Sequence, residues 1–315
     1  MKKIVVVGGG TGSFNVLKGL KQYPADITAI VTTFDNGGST GILRDEFGTL
    51  PSGDIRRCLV ALAPDMGDAT LRDVFNYRFL EKSSLAGHSF GNLFLKALTE
   101  VAGSEIGAIK KAGELLNIKG RVLPVSIDDA HLCALLENGK VIRGETNIDI
   151  PKHDGSIRIK EVYLEPRPVI FGEAYSAITE ADSIIICPGD LYTSILPNIL
   201  VQGFTEALAK SKARLIYVPN IMTKWGETND FKCSDFVGEL LTYLGLKKLD
   251  FVVVNSEKLR PVLVKKYKAE KSEPVKHDFL QLKKQAGKVI VENIIHQSDI
   301  IRHDSKKLAR ILVQL

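Results

Sequence analysis

The feature that most constrains the fold is a short apolar run near the start of the chain that stops at three glycines. Residues 4–7 are Ile, Val, Val and Val, a composition typical of a central parallel strand covered on both faces. Apolar residues then recur at helical spacing over 14–20, and Pro24 ends that helix before a second apolar run at 27–31. The pattern predicts a β-loop-α-β unit, which places its ligand loop at the carboxyl end of the first strand.

The remainder of the chain alternates between strand and helix patterns. Further strands are predicted at residues 121–125, 183–187, 214–218, 251–254 and 289–292. Helices are predicted at residues 54–63, 69–79, 91–101, 105–116, 175–181, 199–209, 234–244 and 305–315. Such alternation predicts a Rossmann-like α/β fold, with a doubly wound, mostly parallel sheet.

One segment has a different pattern and is predicted to be a small antiparallel β insertion. Residues 131–136 and 140–144 flank Asn138-Gly139, which predicts a hairpin with a type I′ turn, and residues 157–164 alternate like another strand. The chain shows no internal repeat and no Pro-rich linker. We therefore expect one α/β domain over residues 1–315, with a β-rich subregion at about 126–170.

Composition and charge argue against several classes of protein, including nucleic-acid-binding and membrane proteins. The net charge of +5 falls short of a nucleic-acid-binding signature. The first apolar run is too short for a signal peptide or a membrane helix, and the four cysteines form no CxxC pair. These features predict a cytoplasmic protein with reduced thiols, no membrane insertion and no nucleic-acid partner. A homodimer is expected only because it is the commonest assembly of soluble proteins.

The first predicted ligand loop is Gly8, Gly9, Gly10, Thr11, Gly12 and Ser13. Between a buried strand and a helix, its backbone N–H groups and the helix dipole are suited to a phosphate, and its hydroxyls add donors. The alternative is that the glycines only make a tight turn. Ser13 stands where a dinucleotide fingerprint has its third glycine, and the Gly-Lys-Ser/Thr of a P-loop is absent.

The second predicted ligand loop follows the second strand and comprises Asp35, Asn36, Gly37, Gly38 and Ser39. Asp35 is a candidate contact to a ribose, a metal ion or a base. The same residues are also good turn formers, so a purely structural role stays open.

Two later strand ends repeat the combination of a strand, polar residues and a helix. The first supplies the candidates Gly189, Asp190, Tyr192, Thr193 and Ser194 after Pro188, and the second supplies Asn220 and Thr223. Because the carboxyl ends of parallel strands share one edge of the sheet, these loops predict a crevice there.

Several charged residues are weaker candidates. Arg44, Arg56 and Arg57 are able to clamp a phosphate with two hydrogen bonds each. Asp54 is predicted to be the N-cap of the helix at 54–63, with a catalytic role as the alternative.

Asp128 and Asp129 follow a predicted strand, where paired carboxylates suit a metal ion, hydroxyl contacts or a solvated turn equally. His88 alone is weak evidence for a functional site, since a single histidine more often packs in the core or caps a helix. The lysine-rich stretch at 258–276 is interpreted as a solvated helix face and loop, with a patch for an anionic partner as the alternative.

Taken together, these motifs resemble those of a known family. They are Val7-Gly-Gly-Gly-Thr-Gly12, Phe34-Asp-Asn-Gly-Gly-Ser-Thr-Gly41, Leu50-Pro-Ser-Gly-Asp-Ile-Arg56, Gly87-His-Ser-Phe-Gly-Asn92, Cys187-Pro-Gly-Asp-Leu-Tyr-Thr-Ser194 and Asn220-Ile-Met-Thr223. The chain resembles, over nearly its whole length, the YvcK-like branch of the YvcK/CofD group. Members of that branch are called gluconeogenesis factors and are related to 2-phospho-L-lactate transferases.

The resemblance implies a Rossmann-like sheet that binds a nucleotide sugar such as UDP-N-acetylglucosamine. It also implies a role in carbon metabolism, cell-envelope synthesis and cell shape. Residues 8–13, 35–39 and 188–194 and Asn220 would then line the nucleotide site, and Arg302 would reach the diphosphate. This chain has Asn36 and Asp190 where the family pattern more often has Asp and Ser.

Three hypotheses follow from the sequence. The leading one is a nucleotide-sugar-binding regulator that requires no cofactor. The second is a transferase of a phosphoryl-containing group from a nucleoside diphosphate donor, with Mg²⁺ held by Asp35 or by Asp128 and Asp129. The third, a nicotinamide oxidoreductase, is disfavoured by Ser13 and predicts hydride transfer with NAD(P)H.

Overall fold

The computed structural model describes residues 1–65, 69–80 and 83–315. Its strands are β1 (Lys2–Gly8), β2 (Ala25–Val31), β3 (Arg121–Pro124), β4 (His131–Leu136), β5 (Val141–Arg143), β6 (Ile159–Glu165), β7 (Ser183–Ile186), β8 (Arg214–Tyr217), β9 (Leu249–Asn255), β10 (Ala286–Glu292), β11 (Ile295–Gln297) and β12 (Ile301–His303).

The helices of the described residues are α1 (Gly10–Leu20), α2 (Gly38–Phe47), α3 (Gly53–Leu62), α4 (Ala69–Asn76), α5 (Phe90–Ala102), α6 (Glu105–Leu115), α7 (Glu145–Asp149), α8 (Gly172–Thr179), α9 (Leu196–Ile199), α10 (Phe204–Lys210), α11 (Cys233–Leu244), α12 (Pro261–Ala269), α13 (Phe279–Gln285) and α14 (Ser305–Leu312). One π-helical turn, Leu191–Ile195, precedes α9.

The main sheet has seven strands in the order β10-β9-β8-β7-β1-β2-β3, and every neighbouring pair is parallel. This arrangement confirms the predicted doubly wound, mostly parallel sheet. The strand order reverses between β1 and β7, which pair directly. In open α/β sheets the ligand crevice forms outside the carboxyl ends of the strands at such a reversal.

The central strand β1 explains why the sequence begins with an uninterrupted apolar run. Val5 and Val7 pack in the core on one face of the sheet, whereas Ile4 and Val6 pack in the core on the other. All four side chains are at most 2% exposed. Since alternate side chains of a strand point to opposite faces, a strand covered on both sides needs an apolar residue at every position.

The predicted β insertion is a three-stranded antiparallel sheet in the order β5-β4-β6. Leu132, Ala134 and Leu164 of this sheet belong to the same core as Val5 and Val7 of the main sheet. We propose on this basis that residues 1–315 form one domain.

The turn of the β4-β5 hairpin was predicted wrongly. A type I′ turn needs a positive φ at both central residues. Gly139 has a φ of +84°, whereas Asn138 is not among the residues with positive φ. The N–H of Leu136 bonds to the carbonyl of Lys140, so three residues form the loop, with glycine in the left-handed position.

Several helix boundaries also differ from the prediction. The single helix predicted over 199–209 is divided into α9 and α10, because Gly203 between them adopts a φ of +99°. The predicted N-cap of α3 is wrong as well. The helix begins at Gly53 after Ser52, so Asp54 lies within its first turn.

The elements α2, α7, α13, β11 and β12 were not predicted. Among the helices of residues 1–65, 69–80 and 83–315, none combines the length and the apolar character needed to cross a lipid bilayer.

Candidate functional site

A crevice opens at the carboxyl ends of the parallel strands, where the order of the sheet reverses. It consists of two cavities of about 700 Å³ and about 430 Å³. The two cavities share the lining residues Thr11, Gly12, Asp149, Ile150, Gly189 and Asp190. We call their meeting point the junction, the larger cavity the wide end and the smaller cavity the acidic end.

The loop between β1 and α1 packs directly on the loop after β7. A Cβ placed on Gly12 would overlap the carbonyl group of Pro188, so only glycine permits this approach. The buried Ser13 hydroxyl donates to the Gly9 carbonyl at 3.1 Å. The two loops therefore form a continuous floor under the junction, with the N-terminus of α1 facing it.

Asp54 lies against this floor. Its side chain is 14% exposed and accepts a hydrogen bond from the Gly10 N–H group. Burial raises the pKa of Asp54 to about 6, although the nearby Arg57 guanidinium acts to lower that pKa. A Cβ on Gly10 would lie 3.7 Å from Arg57 Nη1 and 4.0 Å from Ser194 Oγ. Arg57 is thus a cation positioned at the acidic end of the crevice.

Asp35 and Glu145 form a carboxyl pair at the acidic end. Asp35 accepts the N–H of Gly37 at 2.7 Å and is hydrogen-bonded to the Glu145 side chain. Burial raises the pKa of Asp35. The pKa of Glu145 rises to about 9 because of burial and of the negative charges of Asp35 and Asp149. At neutral pH Glu145 therefore carries a proton, which it donates in its hydrogen bond to Asp35.

A second acidic group lies at the junction around the Lys224 ammonium. Lys224 Nζ is 2.8 Å from Asp190 and 3.0 Å from Glu227, and it also contacts Asp149. Glu227 is fully buried and accepts hydrogen bonds at 3.3 Å from the Tyr192 N–H group and the Thr193 hydroxyl. Burial raises the pKa of Glu227 to about 7, against the opposing effect of the ammonium.

The wide end has a different chemical character. Its walls include Ile221, Met222, Trp225 and Tyr267, and the exposed Arg302 stands at its edge. Tyr267 holds β12 in place, because its hydroxyl bonds both the N–H and the carbonyl of Ile301 at 3.2 and 3.3 Å. This end combines apolar and aromatic surface with the exposed cation of Arg302.

The structure brings most of the predicted site residues to the crevice. Those lining it are Gly9, Gly10, Thr11, Gly12, Asp35, Gly37, Gly38, Gly189, Asp190, Thr193, Ser194, Asn220, Thr223 and Arg302. Asn220 also accepts the N–H of Gly189 at 2.7 Å, and Thr223 accepts the N–H of Glu273 at 2.9 Å.

The remaining predicted residues have structural contacts instead and are not among the lining residues. They are Gly8, Ser13, Asn36, Ser39 and Tyr192. Asn36 accepts the N–H of Thr146 at 2.9 Å and so anchors α7, while the buried Tyr192 donates its hydroxyl to Glu239 at 3.0 Å.

Ser39 belongs to a buried polar network beside the crevice. Its hydroxyl lies 3.0 Å from His88 Nδ1, and Asn92 donates to it at 3.3 Å. Arg56 donates to Asn92 at 3.0 Å and to Asn76 at 2.9 Å. Arg56 is therefore committed to the packing of α3, α4 and α5, not to a phosphate.

Three further candidates lie away from the crevice lining. Arg44 is buried and bonds Asp129 and the carbonyl of Ala130, whereas Asp128 accepts the N–H of Val169 at 2.7 Å. Asp128 and Asp129 do not line the crevice, so the predicted alternative of a metal ion held by this pair gains no support from the site geometry.

Sequence reasoning missed the lining residues Glu145, Asp149, Lys224 and His303. A signal existed for the first two, since acids four residues apart lie on one face of a helix. Lys224 stands three residues before Glu227 and one after Thr223, within a loop already marked as polar.

Comparison with known proteins matches this architecture to one family. The model of the 2-phospho-L-lactate transferase CofD family matches residues 4–295. The gluconeogenesis factor of Bacillus subtilis is 42% identical over 315 residues, covering 99% of this chain and 98% of that protein.

Two solved structures also match this chain over nearly its whole length. A crystal structure of a Bacillus halodurans protein has a TM-score of 0.93 at 39% identity and covers 99% of both chains. A second, of a UPF0052 family member from the same organism, has a TM-score of 0.92 at 38% identity and covers 99% of this chain and 98% of that one. The chain therefore belongs to the CofD/YvcK family, which includes the gluconeogenesis factors.

Proposed function

We propose that this protein is a nucleotide-sugar-binding regulator of the gluconeogenesis factor type, and that its ligand resembles UDP-N-acetylglucosamine. The observation that carries the proposal is one crevice with two chemically different ends that meet over a glycine-rich floor. A nucleotide sugar has the matching division into a planar base, a diphosphate and a polyhydroxylated ring.

The junction is the place for the diphosphate. The N-terminus of α1 and the loop N–H groups of Thr11 and Gly12 supply donors there. Arg57 approaches from the acidic end, and Arg302 approaches from the wide end. Guanidinium groups bind phosphate oxygens with paired hydrogen bonds, so the two arginines are placed to hold the two phosphates.

The two ends take the two remaining parts of the ligand. The apolar and aromatic wall formed by Ile221, Met222, Trp225 and Tyr267 suits a nucleoside. At the acidic end, the carboxyl groups of Asp35 and Asp149 are hydrogen-bond acceptors for sugar hydroxyls. A neutral polyol fits these acceptors.

The cellular part of the proposal rests on the relatives. Proteins that share about two-fifths of this sequence over its whole length are named gluconeogenesis factors. We propose for this chain a role in linking carbon metabolism to envelope synthesis and cell shape. The four free cysteines are all buried, which suits the reducing cytoplasm as its location. The proposed partner is a small nucleotide ligand, with no nucleic acid and with a homodimer as the assembly.

The proposal is tested by isothermal titration of UDP-N-acetylglucosamine into the protein, in chelator and in Mg²⁺. The nucleotide is then recovered after incubation and analysed by mass spectrometry. We expect saturable binding and intact ligand. Arg57→Ala should weaken binding at least tenfold, because it removes charge-assisted hydrogen bonds. The matched control is Arg310→Ala, an exposed arginine on α14. Absence of binding to the unmodified protein would refute the proposal.

A second candidate function is a metal-dependent transferase of a phosphoryl-containing group. The CofD family match and the acidic end favour it. Asp35, Asp54 and Glu145 supply hard oxygen donors of the kind that Mg²⁺ prefers. When bound, the ion would neutralise charge on a transferring phosphoryl group. Asp35 and Glu145 would orient the ion, and Arg57 would balance the remaining charge.

Asp35→Asn separates the two functions. A transferase should lose turnover far more than it loses nucleotide affinity, because the metal-holding oxygen acts in the reaction. Turnover of a nucleoside diphosphate donor by the unmodified protein, lost in Asp35→Asn at nearly unchanged affinity, establishes the transferase. Intact nucleotide after incubation with both proteins favours the regulator.

A further inference from the structure

Three carboxylates converge on one point beside the junction of the crevice, and two of them, Asp149 and Asp190, line both cavities. One oxygen each of Asp149, Asp190 and Glu227 lies within 4.8 Å of the others. They come from three separate parts of the fold, namely α7, the loop after β7 and the loop after β8. Three carboxylates so close together repel one another when all are ionised, and a cation at their centre relieves that repulsion.

The chain supplies that cation itself. Lys224 Nζ lies 2.8 Å from Asp190 and 3.0 Å from Glu227 and contacts Asp149. A lysine ammonium has three N–H donors, so each carboxylate receives one. Burial alone would lower the pKa of Lys224, but the three carboxylates outweigh it and raise that pKa. The ammonium is therefore charged throughout the physiological pH range.

The backbone around Lys224 fixes the ammonium in this place. The Lys224 N–H donates to Thr228 Oγ1 at 2.9 Å, and the Lys224 carbonyl accepts the N–H groups of Glu227 and Thr228 at 3.2 and 2.9 Å. This tight turn places Lys224 beside Glu227 before any ligand enters. The side chain is only 25% exposed, so it has little freedom to leave.

We propose that the Lys224 ammonium is a resident cation that occupies the position of a divalent metal ion and closes this carboxylate cluster to metals. Carboxylate oxygens from three sites at this spacing are the donor set of a Mg²⁺ or Mn²⁺ site. The charge at the junction is then fixed by the sequence and does not vary with the concentration of divalent cations. This inference holds whether or not the crevice takes a nucleotide sugar.

The test is to count bound Mn²⁺ by electron paramagnetic resonance in the unmodified protein, in Lys224→Ala and in the double variant Lys224→Ala/Asp190→Asn. We expect Lys224→Ala to bind one more Mn²⁺ per chain than the unmodified protein, because it leaves three carboxylates and space for the ion. The double variant should lose that extra ion. Equal counts in the unmodified protein and Lys224→Ala, or an extra ion retained in the double variant, would overturn the proposal.

Asp190→Asn alone provides a test that does not depend on the folding of Lys224→Ala. If Lys224 already excludes metal ions, Asp190→Asn binds as many Mn²⁺ ions as the unmodified protein. A lower count in Asp190→Asn would show that the cluster holds a metal ion in the presence of Lys224, and would overturn the proposal. Neither measurement uses a nucleotide, so their outcome is separate from that of the ligand titration.

Discussion

Replacing Glu145 with glutamine should change the pH dependence of stability in a direction that the structure determines. The pKa of Glu145 is raised from 4.5 to about 9 by burial and by the charges of Asp35 and Asp149. Between these two pH values the folded protein keeps a proton on Glu145 that the unfolded chain has released. The stabilisation is complete below the unfolded pKa and is lost as the pH rises through the folded pKa, so the free energy of unfolding falls with increasing pH.

The magnitude follows from the number of protons. A difference of one bound proton changes the free energy of unfolding by about 1.4 kcal/mol per pH unit. From pH 6 to pH 8, Glu145 therefore lowers the stability of the unmodified protein by about 3 kcal/mol. Glutamine has nearly the size of a protonated glutamate, and its amide is able to donate to Asp35 as the carboxyl does. Because glutamine does not titrate, Glu145→Gln should lack this loss.

The assay is urea unfolding at pH 6, 7 and 8 in the presence of a chelator. Glu161→Gln is the matched control, since Glu161 is an exposed acid on β6. The unmodified protein and the control should lose about 3 kcal/mol more than Glu145→Gln across this range. The raised pKa values of Asp54 and Glu227 act in all three proteins and do not produce a difference between them. Parallel pH profiles for the three proteins would refute the argument.

Three further outcomes are expected. Gly12→Ala should destabilise the protein by about 1–3 kcal/mol or more in urea unfolding, because its Cβ would overlap Pro188; Gly172→Ala, with open space around the Cβ, should not. Burial lowers the pKa of His303 to about 4, so its stabilisation is present above the unfolded pKa of 6.5 and is lost as the pH falls toward 4. His303→Gln should therefore weaken the fall in stability between pH 6 and pH 4.5, and an unchanged profile would contradict this. Burial raises the pKa of the Cys187 and Cys233 thiols to about 12; native protein should react slowly with a thiol reagent and release all four thiols only in denaturant.

The sequence predicts the parallel sheet well because each strand has a continuous apolar run. Residues 4–7 need apolar side chains on both faces, and this requirement is visible without any knowledge of neighbouring strands. The helix α2 was missed because Gly38, Thr40 and Gly41 are poor helix formers. There, packing of the buried Leu43 and Arg44 outweighs intrinsic propensity.

The glycine loops of the candidate site could likewise be predicted, because they directly follow strands whose ends share one edge. The charged residues could not. Lys224 and Asp149 are 75 positions apart, and no local pattern relates them. Ser39 was predicted to face the ligand because it lies in a ligand-like loop, yet its hydroxyl turns toward His88 and Asn92. Side-chain direction at a helix start depends on neighbours from distant segments, which a single sequence does not reveal.

The walls of the crevice come from two parts of the chain. The glycine-rich floor belongs to loops of the parallel sheet, whereas Glu145 and Asp149 belong to α7 of the inserted segment. Floor and wall therefore come from segments that are separate in sequence but share one core, since Leu132 of the insertion packs in the same cluster as Val5 and Val7. A change of side chain at position 145 or 149 would alter the polarity of one wall alone, whereas a change within the shared core would disturb both walls together.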